Sequence, residues 1–258
     1  MWGNPGKKKV LVINGSPKQN KSSTMVITNA FIEGLKMSSD IDLEIINVQS
    51  LRIKPCIDCL SCWGRTEGEC IIKDDDVAMV KEKILGADII IESFPLFFFS
   101  MPGILKLLTD RLLSMMLTYR GHKPPEDGTS FHGLRYYDPN KRFIIISSCA
   151  YTEVDKVYDA VKAQFDYIVG KDGYYGIYVP QVKTLVELNS ESKTNRFLEK
   201  FIQAGKQFME EGSLDSETLK SLSKPPFSER AYKIFLDQFW QEEKKWKRHV
   251  PLKILKQC

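Results

Sequence analysis

Four of the six cysteines fall in one short stretch, Cys56, Cys59, Cys62 and Cys70, with the spacing C-x2-C-x2-C-x7-C. A thiolate is a soft metal ligand. Four of them in a compact loop can close a tetrahedral zinc site or hold a cubane iron–sulfur cluster. Zinc sites usually draw on two separated pairs, whereas three cysteines at x2 spacing look more like an iron–sulfur loop. Clustering of this kind in a reducing compartment favours metal or redox roles over disulfides. The spacing leaves three states open for these four side chains: a 4Fe–4S cluster, zinc, or free thiols.

A second stretch suits phosphate. Gly15 to Thr24 reads G-S-P-K-Q-N-K-S-S-T and follows the short apolar run Val10 to Ile13. Ser16, Ser22, Ser23 and Thr24 offer hydroxyls, Asn20 an amide and Lys18 a charge. A helix starting near Ser22 adds backbone donors and a positive end. No Gly-Lys-Ser/Thr triplet closes the stretch, so it is not a P-loop. With one glycine it is not the dinucleotide pattern either. Many hydroxyls and few glycines suit a terminal monophosphate such as that of FMN, and the bland alternative is an ordinary polar turn. The histidines add little: His122, His132 and His249 show no metal spacing, and no nucleophile–base pair stands out.

These motifs together resemble the NADPH-dependent FMN reductase and iron–sulfur flavoprotein group of the flavodoxin-like superfamily. Asn14 to Lys18 matches the group's strand-end "GSPR" with Lys for Arg. Pro95-Leu96-Phe97-Phe98-Phe99-Ser100, followed by Gly103, Leu105-Lys106 and Asp110-Arg111, is similar to its "SPVYFGS…G.LK.F.DR". Ser148-Cys149-Ala150 stands where the group often has Gly-Gly. The resemblance covers residues 8 to 180. It implies that the backbone of Pro95 to Ser100 wraps an isoalloxazine ring, with Phe97, Phe98 and Phe99 as aromatic walls. Ser148, Cys149 and Ala150 would then reach its pyrimidine end, and Asp110 and Arg111 would brace a helix. The implied activity is hydride transfer from NAD(P)H to flavin, then reduction of a quinone, a nitro or azo compound, or a metal complex. No protein nucleophile is needed for that chemistry. The iron–sulfur flavoproteins carry a cysteine loop at this place and imply an alternative, an electron carrier relaying single electrons between cluster and FMN. The reductases keep a similar "C..C..CW……C…DD" loop with free thiols, which Cys62-Trp63, Gly68, Cys70 and Asp74-Asp75 match.

The elements that must position these residues alternate. Strands are predicted at Val10–Ile13, Leu43–Val48, Asp88–Ile91, Phe143–Ser147 and Tyr174–Val179. Helices are predicted at Ser22–Lys36, from Asp74–Asp76 through Leu85, Pro102–Leu113, Val154–Val169 and Phe197–Met209. Strands alternating with helices build a doubly wound parallel sheet, and five units suit the flavodoxin-like order 2-1-3-4-5. The ends of strands one, three and four then open on one edge. Two stretches exceed this plan. Residues 114 to 142 form a long insert, and residues 213 to 258 form a helical C-terminal extension beyond a domain at 1 to 212. Its amphipathic helix near Glu229 to Trp246 carries Tyr232, Phe235, Phe239 and Trp240, which need a surface to bury against.

Bulk composition fits a globular chain: 43% hydrophobic and 27% charged residues. A net charge of +4 is too weak to imply nucleic acid. The end-lysines around Lys244, Lys253 and Lys256 read as a solvated helix face. The apolar stretch Ala87 to Leu113 is broken by Glu92, Pro95, Pro102, Lys106 and Asp110, so no membrane partner is expected. Met1 to Gly6 lack a signal-peptide core, and a cytoplasmic protein is expected. Its partners would be a small-molecule electron acceptor or a redox protein. The resemblance, the insert and the aromatic tail suggest a homodimer or homotetramer.

Overall fold

The computed structural model describes residues 7–118, 130–188 and 190–249, with backbone alone for 246–249. Met1 to Gly6, His122, Lys253 and Lys256 lie outside the described residues. Five parallel strands form one sheet: β1 (Lys8–Asn14), β2 (Ile41–Asn47), β3 (Ile89–Pro95), β4 (Arg142–Cys149) and β5 (Tyr175–Pro180). Their order is β2-β1-β3-β4-β5, as the alternation of elements predicts. The strand interiors are continuous apolar runs because both faces of the sheet are covered. In β1, Val10 and Val12 face one core with Ile89, Ile91, Ile144 and Ile146. Leu11 and Ile13 face the other with Ile90, Phe94 and Ile145.

The first face is covered by α1 (Ser23–Ser38), α5 (Val182–Glu187) and α6 (Glu191–Glu211). Helices α1 and α6 meet backbone to backbone. A Cβ built at Gly34 would lie 1.9 Å from the Ile202 carbonyl oxygen, and one at Gly205 would lie 2.0 Å from that of Phe31. Only glycine permits this approach. The second face is covered by α2 (Val77–Gly86), α3 (Gly103–Arg111) and α4 (Asp159–Val169). After these come α7 (Ser216–Leu222) and α8 (Glu229–His249). Tyr232 of α8 is buried with Phe227 against Leu185 of α5. Among the described residues no helix is long and apolar enough to cross a membrane.

Two expected helix bounds need correction. Helix α4 begins at Asp159, not Val154, because Lys156 sits at φ 65° inside a turn that an α-helix cannot contain. Helix α3 stops at Arg111, and Leu112–Met115 tighten into a 3₁₀ turn. The acidic run does stand at the start of α2, and it caps through Asp75, whose Oδ1 accepts from the Val77 amide at 3.3 Å. Asp76 holds the N-cap position without a side-chain cap, its carboxylate accepting instead from the Arg52 amide at 2.7 Å.

Candidate functional site

The carboxyl ends of β1, β3 and β4 lie side by side. Asn14 pairs with Ser93 in register, and Pro95 with Ser148. The loop after β1 is fixed by its own side chains. Asn14 donates to the Asn47 side-chain oxygen (2.8 Å) and accepts from the Ser16 amide (3.1 Å). The Ser16 hydroxyl accepts from the Lys18 amide, and the Gly15 amide donates to the Ser93 carbonyl at 2.9 Å. Ser22 caps α1, accepting from the Thr24 amide at 3.2 Å. The other amides of that first turn, Ser23 among them, have no intrahelical acceptor. Lys18 and Asn20 are exposed and Ser23 is half-buried at this end.

Besides Ser16 and Ser22, two more of the expected hydroxyls, those of Thr24 and Ser148, are engaged within the protein. Thr24 Oγ1 lies 2.6 Å from Ser148 Oγ, with both residues buried. One turn later Thr28 Oγ1 lies 2.8 Å from Ser93 Oγ. These two pairs bolt α1 to β3 and β4 beneath the loop. Cys149 is buried, and burial pushes its thiol up, which makes it a packing residue of the second core. Ala150 is exposed at the strand end, and its carbonyl accepts from the Tyr232 hydroxyl at 2.6 Å.

The turn after β3 carries strain. Leu96 stays tied to β4 through its amide and the Ser148 carbonyl (2.8 Å). Phe97 and Ser100 exchange backbone hydrogen bonds (2.8 and 3.0 Å), so Phe98 and Phe99 form a tight two-residue turn. Both have positive φ, 48° and 65°, where asparagine or glycine is usual. The exchange leaves the Phe98 and Phe99 amides at the tip. Phe98 is 97% exposed, and Phe99 stacks on Tyr151 with ring centroids 5.7 Å apart. Sequence reasoning stopped at Ala150, one residue short of Tyr151, because the contact with Phe99 joins two separate loops and leaves no local pattern.

The cysteine loop runs over α2 and α3. Its main clamp is Arg111 of α3, fully buried with Asp75 at 2.5 Å and donating also to the Lys54 and Ile72 carbonyls. Burial pushes the Asp75 carboxyl up. Arg111 and the Lys54 and Val77 amides outweigh that and hold it below its ordinary value. Lys81 adds a second clamp on Gly68 and Glu69. Arg111 therefore braces the loop against α3, while Asp110 pairs with Lys106 within that helix. None of the four cysteines is disulfide-bonded; Cys56 and Cys59 are exposed, Cys62 and Cys70 half-buried, around one small pocket. Among the described residues no three Cys, His, Asp or Glu side chains converge closely enough to hold a metal ion. As arranged, the four thiols do not fit a cluster or zinc.

A cavity of about 1310 Å³ opens away from these turns, on the face covered by α3 and α4. It reaches the buried carboxylate of Glu92 in β3. Burial pushes that carboxyl up to about 7.

The family described as Flavodoxin-like fold matches residues 8–200. An iron–sulfur flavoprotein of Archaeoglobus fulgidus is 37% identical over 113 residues, 43% of this chain and 53% of that protein. One of Clostridioides difficile is 28% identical over 126 residues, 49% of this chain and 55% of that protein. The chain thus spans about half the length of the curated relatives it matches. Among solved structures, an FMN-dependent NADH-azoreductase of Bacillus anthracis, in complex with FMN, superposes with a TM-score of 0.54 at 18% identity. That match covers 78% of this chain and 99% of the azoreductase.

Proposed function

Because this chain belongs to the family of flavodoxin-like fold, we propose that its carboxyl-edge crevice holds FMN in a flavin oxidoreductase. The protein would draw hydride from NAD(P)H and pass electrons to a small acceptor: a quinone, a nitro or azo compound, or a metal complex. The observation that carries the reading is the Phe98–Phe99 turn. Two bulky residues at positive φ cost about 1–3 kcal/mol each and persist at ligand clamps. This turn stands exposed beside a hydroxyl-lined helix start on the same sheet edge.

The residues present fit the group. The open amides of the first turn of α1, Ser16, Ser22 and Ser23, and the Lys18 charge suit the phosphate. Phe97, Phe98, Phe99 and Tyr151 suit the flat faces of the ring, and the Phe98 and Phe99 amides suit its polar edge. The Thr24–Ser148 bond keeps the two sides of the crevice in register. Bound flavin supplies an N5 that accepts hydride, while the protein supplies position and electrostatics. The B. anthracis azoreductase, described as FMN-dependent, has the same fold, which is in keeping with this reading.

A second reading has its own support. The two relatives above are iron–sulfur flavoproteins, and four cysteines line one pocket here. On it the protein would be a redox-protein partner that relays single electrons. The thiols would first have to converge. Anaerobic absorption spectra separate the readings. A flavin spectrum bleached within seconds by NADPH or NADH supports the enzyme. Slow bleaching, with iron and acid-labile sulfide in stoichiometric amount, supports the carrier. Colourless protein that takes up no added FMN defeats both.

A further inference from the structure

Glu92 is the one acidic residue of β3, and alternation along the strand turns it to the α2–α3–α4 face. Its register neighbours on either side are Ile13 and Ile145. It is 6% exposed, and its Oε2 has no hydrogen-bond partner. A buried carboxylate without a partner is costly and is retained where it has a use. Here it does not face solid core. It lines the cavity of about 1310 Å³, whose walls include Ile13, Ile90, Leu112, Met115, Phe143 and Phe165.

The lysines and the arginine lining the same cavity are engaged elsewhere. Lys141 donates to the Ile84, Leu85 and Ala87 carbonyls, Lys106 pairs with Asp110, and Arg142 donates to the Pro139 and Gly212 carbonyls. At the mouth stand the exposed carboxylates of Asp58, Asp138 and Asp172. The cavity therefore has apolar walls, an acidic rim, and one buried carboxyl oxygen waiting for a donor. Its volume exceeds the range of about 300–1,000 Å³ usual for drug-sized ligands, so a body of two or more fused rings fits.

We propose that this cavity is a second ligand site, separate from the carboxyl-edge crevice, which takes an apolar amine: the hydrocarbon against the α3 and α4 side chains and the ammonium on the Glu92 carboxylate. The acidic rim draws the cation in, and the apolar walls supply the affinity. At pH 8, where Glu92 is ionised and the amine still cationic, an anionic ligand of the same shape would meet the Glu92 charge and be refused.

The site is tested at pH 8 on the full chain as purified, by isothermal titration with 1-naphthylmethylamine and with 1-naphthaleneacetate. The amine should bind with micromolar affinity and the acid should not bind. Glu92→Gln keeps the shape and removes the charge, and should weaken the amine at least tenfold. Equal affinity in the variant, equal binding of the acid, or no binding of the amine to the parent overturns the proposal. A crystal soaked with the amine gives a readout independent of the variant's folding. The nitrogen should lie within hydrogen-bond distance of the Glu92 carboxylate, and density for the naphthyl group anywhere else counts against the site. None of these outcomes depends on flavin, so failure here leaves the redox reading untouched.

Discussion

Cys59 and Cys62 are three residues apart and chemically opposed. The amide and hydroxyl of Ser61 pull the exposed Cys59 thiol below its ordinary value. Burial, with Cys70 close by, pushes Cys62 up. Nucleophilic attack needs thiolate, so a brief iodoacetamide pulse near pH 7.5 should label Cys59 ahead of Cys62 by mass spectrometry. Equal rates would mean that Ser61 does not tune the loop. Glu92 gives a prediction about stability. Its folded-state value of about 7 lies above the usual carboxylate range, so the native state binds the extra proton. Stability is full below the unfolded value and falls as pH rises through about 7. Glu92→Gln should flatten that slope and leave the variant more stable at pH 8, by on the order of 3 kcal/mol in urea titrations. The type of Glu92 was visible in the sequence, but it served only to break an apolar stretch. That it faces a cavity depends on strand register and on α3 and α4, which no local pattern encodes.

At the scale of elements, the cysteine loop depends on one ion pair. Removing one partner of a buried pair strands the other charge, at a cost of about 3–5 kcal/mol. Asp75→Asn should therefore lower the urea midpoint and speed modification of Cys62 and Cys70. If the midpoint fell while the thiols stayed as slow as before, the pair would serve α3 alone. The sign with pH is opposite to that of Glu92. The Asp75 carboxyl is held low, so its contribution is present above the unfolded value and is lost as pH falls through the folded one. The strands were legible because apolar runs such as Val10–Ile13 and Ile89–Ile91 bury on both faces, and Ser22 was legible as a cap because capping is local. The Asp75–Arg111 pair was not, since 36 residues separate its partners. The start of α4 misled because Val154 and Val157 keep a helical spacing, while Lys156 breaks the helix by its backbone angle alone. The α1–α6 contact through Gly34 and Gly205 was equally hidden, because glycine signals a close approach only when the opposite surface is known.

Across the whole molecule, α7 and α8 reach back to the carboxyl edge of the sheet. Tyr232 of α8 is buried, and its hydroxyl holds the Ala150 carbonyl at 2.6 Å, one residue before Tyr151, which stacks on Phe99. Phe227 is tied in as well, its amide donating to Gln181 at 3.2 Å. Helix α8 is thus mechanically continuous with the strained turn through Tyr232, Ala150 and Tyr151, and would act on the crevice through the end of β4. Tyr232→Phe tests this with the ring packing intact. The lost hydrogen bond should cost about 1 kcal/mol, a fall in melting temperature of about 2–4 °C for a chain of this size. If the extension positions the Ala150–Tyr151 corner, FMN affinity should weaken several-fold in the same variant at a temperature far below its melting point. Phe235→Ala, which thins the packing of α8 without touching Ala150, should lower the melting temperature further yet change FMN affinity less. If both variants lost affinity in proportion to stability, the extension would be a cover for Leu185 and nothing more.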